Sequence, residues 1–213
     1  MAGATFEVRL IVMPKLISGL SYLTRALIEA GEGGLTRDRV EFKLVALKET
    51  RVSVDSLWKQ SPSPGMTHLF FETPLRLRLQ NDLVTPGSLT PLMLANAAAR
   101  RVALLGLSFP QEIIVRGRAQ ARALAFAGSR LRWLETSRFS TRQEMRMQFG
   151  GIVGEATVDL AEKPDLARLL HAASFLHVGK GASMGFGRIR INHSSAAHPG
   201  APMPPATVHA GES

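Results

Sequence analysis

The order of apolar patterns from residue 66 onward constrains the fold of this chain more than any other feature. A strand is predicted at His68–Leu79, followed by a helix that begins at Thr90 and Pro91 and runs to about Leu105. The pattern then predicts strands at Ile113–Ala125, Gln143–Gln148 and Gly154–Leu160, with a break at Gly150-Gly151, a helix beginning at Pro164, and a last strand at Phe186–Ile191. This order is typical of an α+β, ferredoxin-like (RRM-like) fold, a four-stranded antiparallel sheet with helices on one face.

The first 58 residues repeat part of this order. Strands are predicted at Phe6–Met13 and Val40–Leu47, and between them Leu16, Leu20, Leu23, Leu27 and Ala30 form one helix face. The same strand, helix, glycine-rich loop and strand occur at 154–191. We therefore expect a partial second ferredoxin-like unit at 1–58 and a C-terminal ferredoxin-like domain at 66–192; chance is the alternative, because strand–helix–strand is common. Residues 193–213, rich in Pro, Ala, Gly and Ser, are predicted to be a disordered tail.

The charge of the chain favours a polyanionic partner. Lys plus Arg number 26 against 17 acidic residues, a formal net charge of +9. Ten arginines lie between residues 100 and 150, opposed by three glutamates, and the guanidinium group suits bidentate contacts with phosphate. In the strand predicted at 113–125, Arg116, Arg118 and Arg122 share one face. Nucleic acid is the partner that this pattern favours, and a basic soluble protein is the alternative.

Several classes of protein are disfavoured by the composition. The sequence contains no cysteine, which excludes disulfides and thiolate zinc sites. No apolar run approaches the roughly 20 residues that a membrane helix needs, and the N-terminus does not resemble a signal peptide. We expect a cytoplasmic protein that does not bind membranes. No group of carboxylates or histidines has the spacing of a metal site, so neither a metal nor a cofactor is expected.

Four glycines, Gly179, Gly181, Gly185 and Gly187, cluster just before the last predicted strand. Clustered glycines most often serve turns with positive φ angles. Alternatively, their backbone N–H groups approach phosphates, and the intervening Lys180 and Ser183 favour this second interpretation. The segment is not a P-loop, because the order Gly-x-x-x-x-Gly-Lys-Ser/Thr is absent.

Two sequence blocks carry a resemblance to a known family. One runs from Arg132 and Trp133 through Arg138-Phe-Ser140-Thr-Arg142-Gln143 to Met147, Gly150-Gly151 and Gly154; the other runs from Leu176 to Arg188. Together they resemble the C-terminal domain of the CRISPR-associated Cas-six endoribonucleases, of the repeat-associated mysterious protein superfamily. Phe71–Leu77 is similar to the first strand of that domain, and Leu35–Val45 to the end of the preceding domain.

The resemblance implies tandem ferredoxin-like domains that hold RNA at their shared cleft and cleave CRISPR repeat RNA without a metal. It also implies that other CRISPR-associated proteins are candidate partners. In the family, the catalytic histidine usually lies in the first half of the N-terminal domain, which has no counterpart here. The chain is therefore expected to be a fragment, to start late, or to be a degenerate member.

The candidate site residues come from the two blocks and from the arginine-rich stretch. His177 is the candidate for proton transfer, because metal-free cleavage needs a base for the 2′-OH and an acid for the leaving 5′ oxygen; a structural role is the alternative. The candidates for binding RNA are Gly179, Lys180, Gly181, Ser183, Gly185, Phe186, Gly187, Arg188, Arg138, Ser140, Arg142, Arg116 and Arg118. Apolar packing is the favoured role of Trp133.

Three functions fit this sequence. The first is a CRISPR repeat-RNA (pre-crRNA) processing endoribonuclease, in which the 2′-OH attacks the adjacent phosphate and leaves a 2′,3′-cyclic phosphate. The second is a non-catalytic RNA-binding subunit of a CRISPR effector complex. The third is a ferredoxin-like interaction domain with no role in RNA binding. RNA binding separates the first two from the third, and cleavage separates the first from the second.

Overall fold

A computed structural model of the protein describes residues 5–34, 39–59, 65–140 and 145–193. The helices in these ranges are α1 (Leu20–Gly33), α2 (Ser56–Lys59), α3 (Pro91–Leu104), α4 (Gln111–Arg122) and α5 (Pro164–Leu176). The strands are β1 (Met66–Leu75), β2 (Arg78–Leu79), β3 (Asp82–Leu83), β4 (Gly128–Ser140), β5 (Met145–Asp159) and β6 (Ile189–His193). Short 3₁₀ helices lie at Pro14–Gly19, Pro86–Ser88 and Ala182–Met184.

Four strands form one antiparallel sheet in the order β4-β5-β1-β6. Leu69 of β1 lies opposite Ala156 of β5 and Ile191 of β6, so β1 and β5 are the central strands. The two central strands begin the two strand–helix–strand halves of the unit, which is the ferredoxin-like arrangement. The predicted four-stranded ferredoxin-like fold is confirmed.

The core lies between the sheet and helices α3, α4 and α5. Alternate residues of the strands, among them Leu69, Val158 and Ile189, are fully or almost fully buried on one sheet face. The predicted start of α3 is confirmed: Thr90 caps it by accepting a hydrogen bond from the N–H of Met93 at 3.3 Å. The helix predicted to begin at Pro164 is also present.

The strand predicted at Ile113–Ala125 is wrong, because most of that segment is helix α4. Ile113, Ile114, Gly117 and Ala121 are buried, a spacing that fits a helix and not a strand. Gly117 lets α4 approach α5 closely, since a Cβ atom there would lie 3.0 Å from the carbonyl oxygen of Asp165. The alternation of Arg116, Arg118, Gln120 and Arg122 is therefore not a strand signal.

Gly150-Gly151 does not break a strand. Both glycines lie within β5, which unites the two strands predicted at 143–148 and 154–160, and residues 143 and 144 are outside the described residues. A Cβ atom on Gly150 would overlap the indole ring of Trp133, and one on Gly151 would lie 2.7 Å from the Cβ of Pro74. The two glycines thus leave room for the Trp133 ring and for Pro74 against this part of β5. The apolar packing predicted for Trp133 is confirmed.

Two other predicted boundaries shift, and one strand was missed. β1 ends at Leu75 and not at Leu79, the last strand begins at Ile189 and not at Phe186, and β4 was not predicted as a strand. In the first 58 residues the predicted helix is present, whereas residues 6–13 and 40–47 form no strand beyond a single bridge residue at Val40. The predicted tail, apart from His193, lies outside the described residues. Within the described ranges, no helix is both long and apolar enough to span a membrane.

Candidate nucleic-acid interface

The residues Gly179–Arg188, here called the glycine loop, join α5 to β6. The loop leaves the helix at His177, whose φ of 54° is unusual for a residue with a side chain. Gly179, Gly181, Gly185 and Gly187 all have positive φ angles, between 70° and 87°. Only glycine adopts such angles without strain, so the glycine cluster follows first from the path of the backbone.

The loop is fixed to the end of β1 by backbone groups. The N–H of Lys180 donates to the carbonyl of Arg76 at 2.8 Å, and the N–H of Gly187 donates to that of Pro74 at 3.1 Å. The hydroxyl of Thr73 donates to the carbonyl of Gly185 at 2.8 Å and accepts from the N–H of Arg188 at 2.9 Å. Nothing in the sequence pattern indicated this role of Thr73, because the contact spans more than 110 residues.

Two of the glycines have no room for a side chain. A Cβ atom on Gly187 would overlap the carbonyl group of Val178, and one on Gly179 would lie 2.5 Å from the carbonyl oxygen of Arg76. A Cβ atom on Gly181 would meet the ring of Phe186 at 2.7 Å, whereas Gly185 faces open space. Tight packing therefore accounts for Gly179 and Gly187, whatever else the loop does.

The outer part of the loop has the features of an anion site. Gly181 is left-handed and precedes the 3₁₀ helix Ala182–Met184. Among the described residues, no backbone carbonyl accepts a hydrogen bond from the N–H groups of Gly181, Ala182 or Ser183. Lys180 and Ser183 are exposed beside them. Successive free N–H groups after a left-handed residue form a concavity that suits phosphate oxygens.

His177 lies beneath this loop and is half-buried. Its Nδ1 lies 3.2 Å from the carbonyl oxygen of Phe186, and because a carbonyl can only accept, Nδ1 is the protonated nitrogen. Burial lowers the pKa of His177 below its ordinary value; the hydrogen bond to Phe186 opposes this, and the positive charges of Arg188 and Arg101 lower the pKa further. At neutral pH the imidazole is therefore neutral, with Nε2 as the acceptor.

The ring of Phe186 belongs to a small aromatic group next to the loop. Its centroid lies 5.9 Å from that of Phe149, and the guanidinium of Arg76 lies 5.2 Å from the centroid of the Phe149 ring. Phe186 also covers Gly181. Packing is thus the observed role of Phe186, and its proposed contact with RNA would use the remaining ring edge.

Arg188 was predicted to bind RNA and is engaged with an acid in the free protein. Its Nε lies 2.9 Å from Glu72, whose other carboxylate oxygen lies 2.6 Å from Nε of Arg190. These groups are partly exposed, and such ion pairs are worth only about 0–1 kcal/mol, so a phosphate could replace the carboxylate. Arg190 also lies 4.1 Å from the centre of the Phe70 ring.

The continuous basic strand face predicted from Arg116, Arg118 and Arg122 does not exist, because these residues lie on α4. Arg116 Nε lies 2.7 Å from the buried carboxylate of Asp165, which Arg168 also contacts at 3.0 Å. Arg116 therefore holds α4 to α5. The structure does not bring these arginines to the glycine loop through a shared strand.

Arg138 and Ser140 lie near the end of β4, where the backbone pairs Arg138 with Met147 and Ser140 with Met145. They are thus in a strand, and not in the turn before one as predicted. Arg142 lies outside the described residues. Metal sites are not apparent either: no three acidic or histidine side chains in the described parts of the chain converge as metal ligands.

The sheet face opposite the helices carries residues that the sequence interpretation missed. Thr67, Leu69 and Phe71 point into the core, so His68 and Phe70 point the other way, with ring centroids 6.5 Å apart and nearly parallel. The alternation of residues along β1 could have indicated that His68 and Phe70 share this open face. Aromatic rings on the open face of such a sheet are able to stack with unpaired bases.

The comparison with known families decides the classification. The model of the family described as CRISPR-associated endoribonuclease Cas6 matches residues 69–189, more than half of the chain. The chain belongs to the Cas6 family. The matched range extends from β1 to the first residue of β6 and includes the whole glycine loop, as the resemblance of the two sequence blocks predicted.

Solved Cas6 structures share the fold. A Cas6 product complex superposes with a TM-score of 0.59 at 22% identity, covering 85% of this chain and 74% of that chain. Cas6 of Thermus thermophilus superposes with a TM-score of 0.51 at 24% identity, covering 66% of this chain and 58% of that chain. A partial Cas6-RT-Cas1–Cas2 complex superposes with a TM-score of 0.53 at 16% identity, covering 90% of this chain and 36% of that chain. A comparison with curated protein sequences finds no match.

Proposed function

We propose that this Cas6 chain binds CRISPR repeat RNA (pre-crRNA) at the glycine loop and cleaves it without a metal. The observation that carries the proposal is the family match over residues 69–189, which contains a loop with free N–H groups. Lys180 and Ser183 stand beside those groups and are exposed. A backbone phosphate placed there would receive both N–H hydrogen bonds and a positive charge.

In the proposed reaction the 2′-OH of one nucleotide attacks its own 3′ phosphate. Its proton passes to Nε2 of His177, the P–O5′ bond breaks, and the 5′ oxygen leaves after taking a proton from water. The products are a 2′,3′-cyclic phosphate and a 5′-hydroxyl. Because the nucleophile is already held beside its phosphate, no metal is required to generate it. The negative charge that builds on the non-bridging oxygens of the phosphorane would be stabilised by Lys180.

The neutral state of His177 supports its role as the base. Its lowered pKa leaves Nε2 unprotonated at neutral pH, and its strained φ of 54° is of the kind found at functional sites. The hydrogen bond to Phe186 fixes the tautomer that a base requires. Other RNA contacts are assigned to Arg138, Ser140, Arg142 and Arg188, and Arg188 would exchange the carboxylate of Glu72 for a phosphate.

A non-catalytic RNA-binding subunit is the second candidate, and one observation favours it. His177 contributes to loop packing through Phe186, which is enough to account for a histidine at this position. Solved Cas6 structures include a product complex and a partial Cas6-RT-Cas1–Cas2 complex. We therefore include other CRISPR-associated proteins among the proposed partners in either case.

Replacing Lys180 by Gln is expected to weaken RNA binding without loss of stability, because the side chain is exposed. Each phosphate contact releases counterions, so the slope of log affinity against log salt should fall by about one. The measurement is fluorescence anisotropy with a repeat hairpin between low and physiological salt. Lys48→Gln removes the same charge from an exposed position in the N-terminal segment and should change the slope little. Equal slopes for the wild type and Lys180→Gln would remove Lys180 from the interface.

A further inference from the structure

Arg76, which follows β1 directly, is fixed beside the glycine loop by its own backbone. Its carbonyl oxygen accepts the hydrogen bond from the N–H of Lys180 at 2.8 Å, and the same oxygen leaves no room for a side chain on Gly179. Leu75 and Leu77, on either side of Arg76, are buried in the core. The backbone at residue 76 is therefore held by the core and by the loop together, and the Arg76 side chain starts next to the loop.

The Arg76 side chain reaches the aromatic group that borders the loop. Its guanidinium carbon lies 5.2 Å from the centroid of the Phe149 ring, a distance typical of a cation–π contact. Phe149 lies next to Phe186, and Phe186 covers Gly181, the first of the three loop residues whose N–H groups meet no described backbone carbonyl. Through these ring contacts, a positive charge is held near the part of the loop that has the features of an anion site.

The guanidinium of Arg76 is not neutralised by any acid among the described residues. By contrast, Arg188 and Arg190 of the neighbouring strand both contact Glu72. No described carboxylate forms an ion pair with Arg76, and its Nε is buried without a hydrogen-bond acceptor in the described part of the chain. The side chain as a whole is only half-buried, so the oxygen atoms of a ligand can approach it. An anionic oxygen there would gain a charge-assisted hydrogen bond.

We propose that Arg76 binds a backbone phosphate of the RNA at the glycine loop, as a second cationic contact beside Lys180. This role rests on the proposed function, because it requires RNA at the loop. The planar guanidinium suits phosphate oxygens through two parallel hydrogen bonds, which the ammonium group of Lys180 does not offer. Stacking on Phe149 holds the guanidinium in place before the RNA arrives, so less side-chain freedom is lost on binding.

Packing against Phe149 is the alternative role of Arg76, and it makes a different demand on the side chain. Packing needs the apolar stem of the arginine and not its charge. Methionine also packs well against aromatic rings, so it should replace arginine in that role. A phosphate contact needs the positive charge, which methionine lacks. Arg76→Met therefore separates the two roles.

Arg76→Met is expected to keep the wild-type Tm and to lower the slope of log affinity against log salt by about 0.7–0.9, the value for one phosphate contact. Fluorescence anisotropy with a repeat hairpin measures the slope, and circular dichroism measures the Tm. The matched control is Arg122→Met, which removes the same charge from an exposed position at the end of α4. Gln120, two residues earlier, contacts the start of α5, whereas the glycine loop follows its end. The control should leave the slope unchanged.

Failure of this assignment and failure of the proposed function give different results. If Lys180→Gln lowers the slope and Arg76→Met does not, RNA binds at the loop without Arg76, and the phosphate contact is wrong. If neither variant changes the slope, RNA does not bind at the loop, and the proposed function fails with it. Arg76→Gln serves as a second uncharged variant if Arg76→Met lowers the Tm.

Replacing single phosphates of the RNA by neutral methylphosphonates tests the contact directly. The RNA is a repeat with 2′-O-methyl nucleotides, which prevent cleavage because they remove the nucleophile. At the contacted linkage the replacement should weaken binding to the wild type and should have no further effect on binding to Arg76→Met. If every linkage costs the variant as much affinity as it costs the wild type, Arg76 does not bind a phosphate, and the proposal is overturned.

Discussion

Gly187→Ala should destabilise the protein more than any other single change in the glycine loop. The new methyl group would overlap the carbonyl of Val178, and the φ of 70° is unfavourable for alanine. We expect a loss of about 3–5 kcal/mol in the free energy of unfolding, which corresponds to a fall in Tm of roughly 10 °C for a chain of this size. Thermal unfolding followed by circular dichroism measures it.

Gly185→Ala is the matched control. Gly185 has a φ of 86° but faces open space, so only the backbone term applies, at about 1–2 kcal/mol. Equal losses in the free energy of unfolding for the two variants would show that the close approach of Gly187 to Val178 adds nothing to the effect. The comparison also explains why bulky replacements at Gly179 or Gly187 are poor tests of RNA contact, since they would act on folding first.

His177→Asn is expected to lower the rate of RNA cleavage by roughly 10²- to 10⁴-fold while leaving RNA binding nearly intact, because it removes a proton-transfer group. The side-chain amide of asparagine can still donate to the carbonyl of Phe186, as Nδ1 of His177 does, so this packing contact is retained. Single-turnover cleavage and anisotropy measure the two effects. Wild-type cleavage by this variant would make His177 purely structural.

The pH dependence of cleavage follows from the same residue. The pKa of His177 is lowered, so a base at this position stays neutral as pH falls and loses activity only below its ordinary pKa of about 6.5. The acid limb of the kcat/KM profile should therefore have its midpoint below that value. Stability changes in the same direction. Histidine in the unfolded chain has its ordinary pKa and is protonated at a higher pH than in the folded chain, so the free energy of unfolding decreases as pH falls through about 6.5.

Those parts of the fold that a short local sequence signal specifies were predictable. Thr90-Pro91 and Pro164 mark helix starts by local chemistry, and both helices begin there. α4 was mistaken for a strand because two of its buried residues, Gly117 and Ala121, are small and leave the helix with little apolar periodicity. Gly117 is small because it lies against the backbone of Asp165 in α5, a contact that local patterns do not reveal.

The glycine loop was located by its composition, but its geometry depends on partners far away in the sequence. Thr73, Pro74 and Arg76 hold the loop through backbone and hydroxyl hydrogen bonds. Likewise, the ion pairs of Arg116 with Asp165 and of Arg188 with Glu72 exist only after folding. Counting arginines therefore predicted a basic protein correctly but could not separate those that bind acids within the fold from those available to RNA.

Cleavage of a CRISPR repeat RNA in excess EDTA, with chemical mapping of the new ends, tests the proposed function most directly. We expect that cleavage persists and leaves a 2′,3′-cyclic phosphate and a 5′-hydroxyl, because the nucleophile is the RNA's own 2′-OH. RNA that is bound but not cut would instead support the non-catalytic subunit. Cleavage abolished by EDTA and restored by magnesium would contradict the mechanism.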